Sequence, residues 1–85
     1  MTLQDVLNKV CNGNSDNKTS QKLGISRISF SRYRNGKQVP NDELLEKFIE
    51  ISGLNPVDVY LAAYAERIEN PLVAAAFRES RTHIN

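Results

Sequence analysis

Cysteine is nearly missing from this chain. Cys11 stands alone, so no internal disulfide can form, and with a single histidine, His83, there is no Cys/His spacing that would ligate a structural metal. Tryptophan is absent, and the aromatic share of 7% is ordinary. No apolar run approaches the roughly 20 residues that a membrane-spanning helix needs. The opening Met1-Thr2-Leu3-Gln4-Asp5 lacks the basic then apolar order of a secretory signal, and the expectation is a cytoplasmic chain. No glycine-rich phosphate loop, paired carboxylate or activated nucleophile is visible, since Gly36-Lys37 lacks the rest of a phosphate-loop pattern and His83 sits in a polar tail. A non-enzymatic protein without cofactor or small-molecule substrate is expected. At 85 residues, one helical core must supply both stability and function.

Net charge is small, but charge is uneven in place. The formal net charge is +1, yet between Asn17 and Asn41 there are six basic residues, Lys18, Lys22, Arg27, Arg32, Arg34 and Lys37, and no acidic one. From Asp42 to Glu69 seven acidic residues face only Lys47 and Arg67, a balance of −5. Such a chain should be electrically two-sided.

Helical periodicity and cap chemistry recur along the sequence. Leu3, Val6, Leu7 and Val10 keep helical spacing behind a Thr2/Asp5 capping box. After the breakers Asn12-Gly13-Asn14, Ser15 can cap a short helix from about 16 to 23. Gly24 permits a left-handed turn, and Ser26 caps a third helix over about 27–35 that closes at Gly36. Asn41 starts a fourth helix ending at Gly53, and Asn55-Pro56 a fifth, marked by Val57, Tyr60, Leu61, Tyr64 and Ile68. Asn70-Pro71 restarts the pattern for a short sixth helix with Leu72, Val73, Ala76 and Phe77. The fold class is therefore all-α, with a main domain over 1–69 and a C-terminal helix and tail over 70–85.

The stretch from 16 to 35 has the parts of a helix-turn-helix. Two short helices meet at a tight turn, Ser20 is small where they must cross, and Ile25, Phe30 and Tyr33 can hold the second to the core. Its opposite face is Arg27, Ile28, Ser31, Arg32 and Arg34. Arginine can pair with guanine through two parallel hydrogen bonds, hydroxyls reach bases or phosphates, and isoleucine can meet a thymine methyl. A basic helix face is ordinarily just solvated; here the charge separation, turn residues and helix lengths all agree on a polyanionic partner.

These residues resemble the lambda-repressor-like, Cro-type helix-turn-helix family of phage and bacterial regulators. The resemblance lies in Lys22-Leu23-Gly24-Ile25-Ser26, Ile28-Ser29, Ser31-Arg32-Tyr33-Arg34-Asn35-Gly36-Lys37 and Pro40, within a span from residue 2 to about 53. It implies a five-helix domain with an extra C-terminal helix and a double-stranded DNA partner. It further implies base-reading positions at Arg27, Ile28 and Arg32, and DNA-backbone positions at Ser31, Arg34, Asn35 and Lys37, to which Lys18 and Ser26 are added. Thr19 and Asp16 depart from the pattern: relatives usually carry a large apolar residue at the first and often a phosphate-binding Gln near the second. From Asn55 onward the chain is similar to the tails of small phage-related regulators. The expected activity is that of a repressor or Cro-like transcription regulator; the alternatives are an excisionase-like architectural protein, or an interaction module such as an anti-repressor or antitoxin. The apolar stripe Leu72, Val73, Ala76 and Phe77 needs a partner, and its pairing in a homodimer is expected.

Overall fold

A computed structural model describes residues 1–75. The chain is all-helical there, with α1 over Leu3–Cys11, α2 over Asp16–Leu23, α3 over Arg27–Arg34, α4 over Asp42–Ser52 and α5 over Pro56–Glu69. A sixth helical stretch runs from 71 to 75. Among the described residues no helix is long and apolar enough to cross a membrane.

Each helix starts where its cap chemistry dictates. Thr2 and Asp5 exchange hydrogen bonds in a complete capping box, and these bonds from Thr2 hold the exposed Asp5 carboxyl below its ordinary value of 3.8. Ser15, Ser26, Asn41 and Asn55 each accept a backbone N–H from the first turn of the helix that follows. Gly24 ends α2 at φ 72°, a left-handed conformation that a side chain would strain, and the chain reverses into α3 within three residues.

The core is built by α1, α4 and α5, which pack on one another, with α2 and α3 joined to it as a pair. Leu3, Val6, Leu7 and Val10 from α1 meet Leu45 and Phe48 from α4, Val59, Ala62 and Ala63 from α5, and the two anchors Leu23 and Phe30. Cys11 belongs to this cluster as a buried residue at the end of α1. Thr19 is also buried, and its hydroxyl donates to Ser15 O at 2.9 Å, so the small polar residue in place of a large apolar one satisfies its own hydrogen bond inside the helix. Ser20 does the same with Asn17 O at 2.7 Å, and its size lets α3 approach.

Two elements differ from expectation. The spacing of Val57, Leu61, Tyr64 and Ile68 marks a helix, but those residues lie on the outward side of α5, and the buried face is Val59, Ala62 and Ala63. A helix seated on alanines approaches its neighbours closely, which turns its larger side chains outward. Val73, expected as a dimer contact, is buried against its own chain and offers no surface to a partner, whereas Leu72 is exposed. Ala76 and Phe77, the other two expected contacts, lie outside the described residues.

Candidate nucleic-acid interface

The third helix is anchored by very little. Phe30 is its only fully buried residue, with Tyr33 half-buried beside it, and Ser26 caps its start through bonds from the Ser29 amide at 3.0 Å. Burial raises the Tyr33 hydroxyl pKa above its ordinary value of 10.0. The Gln4 side-chain amide donates to Tyr33 O at 3.1 Å, tying the helix to α1. With so few inward residues, most of α3 faces solvent.

That outward surface forms one shallow concavity of about 460 Å³ lined by Arg27, Ile28, Ser31, Arg32, Asn35 and Lys37. Two guanidiniums, an ammonium, a hydroxyl, a carboxamide and an aliphatic side chain share the surface, and no carboxylate lines it. Ile28 is 68% exposed, an unusual state for an isoleucine that has a core nearby. Asn35 donates through its side-chain amide to the Ser31 hydroxyl at 3.1 Å, which fixes both polar groups on the rim. Past them the chain turns at Gly36, φ 71°, and the Lys37 amide closes the helix end on Arg32 O at 2.9 Å. Lys37 is thereby presented at a defined corner.

Three of the expected contact residues stand apart from this group. Lys18 is exposed on α2, outside the concavity, and Ser26 spends its hydroxyl on the cap of α3. Arg34 is engaged inward: its Nη1 donates to Asn8 Oδ1 at 2.8 Å, and its Nε lies 3.6 Å from Asp16 Oδ1. This guanidinium braces α3 to α1 and α2. Asp16, which departs from the family pattern, is thus the partner of an arginine on the neighbouring helix, and it also receives a weak contact from the Cys11 thiol at 3.8 Å.

The corner is held from behind by residues whose contact with it no local signal marks. Asn70 Nδ2 donates to Gly36 O at 2.5 Å and to Glu66 Oε1 at 2.9 Å, while its Oδ1 accepts from the amide of Leu72 at 3.0 Å. Arg67 Nη2 donates to Pro40 O at 3.2 Å and lies 3.8 Å from Asp42. The end of α5 therefore grips both ends of the loop that carries Lys37. Comparison with protein-family models, with curated proteins and with solved structures gave no match to this chain.

Proposed function

We propose that this protein is a sequence-specific, double-stranded DNA-binding transcription regulator of the lambda-repressor-like kind, acting in the cytoplasm as a homodimer. In this reading α2 and α3 form the helix-turn-helix and α3 enters the major groove. The carrying observation is the concavity on α3, where Arg27, Ile28, Ser31, Arg32, Asn35 and Lys37 meet without a carboxylate. Arg27 and Arg32 have the donor geometry for guanine, and Ile28 offers an apolar contact to a thymine methyl. Ser31, Asn35 and Lys37 lie toward the helix end and corner, where they serve the sugar-phosphate edge. Lys18 supplies charge beside the backbone, Ser26 acts through the cap, and Arg34 acts chiefly by holding α3 in place.

The acidic half supports the same orientation. Asp42, Glu43, Glu46, Glu50, Asp58 and Glu69 are exposed on α4 and α5, and a polyanion approaching that side would be repelled. The test is binding of the intact chain to a random duplex library across a salt series, followed by selection and footprinting. A regulator gives a selected sequence and an affinity that falls steeply as salt rises, because each neutralised phosphate releases counterions. Absence of salt-dependent duplex binding would overturn the reading.

A further inference from the structure

The carboxamide of Asn70 makes four hydrogen bonds at once. Nδ2 donates to Gly36 O and to Glu66 Oε1, and Oδ1 accepts from the amides of Leu72 at 3.0 Å and Val73 at 3.4 Å. Two N–H donors and two acceptor lone pairs are all that this group has, so it is fully committed. The Oδ1 bonds cap the 71–75 stretch, which Val73 anchors by burial, while Nδ2 reaches the corner that carries Lys37. We propose that Asn70 is a positioning residue for DNA binding: it fixes the Lys37 corner for contact with the sugar-phosphate backbone and makes that contact depend on the seating of residues 71–75. This role rests on the proposed function for the DNA partner of Lys37.

A single peptide plane carries the effect. Gly36 O and the Lys37 N–H belong to the same planar unit. Its N–H is held by Arg32 O at 2.9 Å, at the end of α3, and its C=O by Asn70 Nδ2, just past the end of α5. A plane held on both edges from two different helices has little room to rotate, and the Lys37 Cα at its end gains a fixed place and direction. Held by Arg32 alone, the plane could swing about Gly36, whose φ of 71° is the conformation that glycine permits most readily. The clamp is also close-packed, since a Cβ on Gly36 would lie 3.5 Å from Asn70 Nδ2 and 3.7 Å from Glu66 Oε1.

Lys37 needs such a hold. It is exposed, and its ammonium sits at the end of a flexible stem, so fixing the Cα removes part of the freedom that the side chain must otherwise lose on reaching a phosphate. Arg67 supports the far end of the same loop through Pro40 O at 3.2 Å, which leaves the near end to Asn70. Few side chains can do both of its tasks. Aspartate lacks the donor, and serine offers a cap oxygen but is too short to reach Gly36 O as well.

Duplex binding across a salt series, by the intact parent chain, Asn70→Ser, Lys37→Gln and the double variant, tests this directly. Asn70→Ser keeps a favoured cap oxygen for the 71–75 stretch at a half-buried position, so the variant should fold, and binding is measured well below its unfolding temperature. Its affinity for the selected duplex should fall about threefold or more, with a shallower salt slope and unchanged preference among single-base variants. Lys37→Gln should then cost less in the Asn70→Ser background than in the parent, because a lysine already out of place has less contact to lose. An affinity indifferent to Asn70→Ser, two losses that add in full, or an altered base preference overturns the proposal. A parent without salt-dependent duplex binding sinks the DNA reading and this role with it, whereas a parent that binds as expected beside an indifferent Asn70→Ser sinks the role of Asn70 alone.

Discussion

The α2–α3 pair and the α4–α5 pair reach stability by opposite means. Helices α2 and α3 are polar, and their fully buried residues are Thr19, Ser20, Leu23 and Phe30. They hold their shape through caps, the Gly24 turn and short internal hydrogen bonds. Helices α4 and α5 bury Leu44, Leu45, Phe48, Val59, Ala62 and Ala63 and still have apolar side chains left over. A region that is ordered locally can devote nearly all of its surface to charge, whereas a region that is ordered by burial has surplus apolar surface to present. In this chain the first property lies under the candidate DNA surface, and the second leaves Val57, Leu61 and Ile68 exposed on α5.

The comparison breaks most visibly at Phe30. As the sole fully buried residue of α3, it carries the attachment of that helix to the core, and Phe30→Ala should cost about 3–5 kcal/mol. Chemical denaturation followed by circular dichroism measures this loss. A cost near that of an exposed residue would show that caps alone seat the helix.

On the outward side of the same helix, truncation should leave stability untouched and change recognition. Arg27→Ala or Arg32→Ala should weaken binding to the best site by about 1–3 kcal/mol and relax preference at particular base pairs. Lys37→Gln should leave that preference alone and reduce the salt slope by about one unit. Competition among single-base variants of the selected site separates the two classes. Uniform weakening by Arg27→Ala would move it to the phosphate set.

What was legible in the sequence was what is local. Thr2 with Asp5, Ser15, Ser26, Asn41 and Asn55 each announce a helix start within a few residues, and the described helices begin where those caps require. The six residues of the concavity are clustered in α3 and its corner, so helical spacing alone groups them. The phase of α5 was not legible, because Ala62 and Ala63 carry a weaker apolar signal than Leu61 and Ile68, although close packing favours the smaller pair. Nor could spacing reveal the inward turn of Arg34 to Asn8, 26 residues away, or the grip of Asn70 on Gly36 across 34. Contacts of that length exist only once the helices have been assembled.

Asn70 is where the two regions are coupled. Replacing it with Ala removes the bond to Gly36 O together with the cap on the 71–75 stretch, at a cost of about 1 kcal/mol. The Lys37 amide should exchange its hydrogen faster as the corner loosens, while amides in the middle of α1 are spared. Unchanged exchange at Lys37 would mean that the corner is held by α3 alone.

The smallest effect belongs to Tyr60 and appears only in alkali. Its hydroxyl donates to Glu46 Oε1 at 2.6 Å, and that bond, strengthened by partial desolvation and by the neighbouring carboxylate charges, pushes its pKa from 10.0 up to about 12. The raised value belongs to an acid whose neutral form is the bonded one. Its contribution is therefore complete below pH 10 and is lost as pH rises toward about 12. At neutral pH, Tyr60→Phe should change stability little, since the pair lies at the surface and Glu46 regains water. Between pH 10 and 12 the parent should lose stability relative to Tyr60→Phe, and ultraviolet titration of tyrosinate should show a late component with a midpoint near 12 that the substitution removes. If that component is missing from the parent, the Tyr60–Glu46 bond is open in solution, and the polar link between α4 and α5 falls to Arg67 and Tyr64 on Asp42.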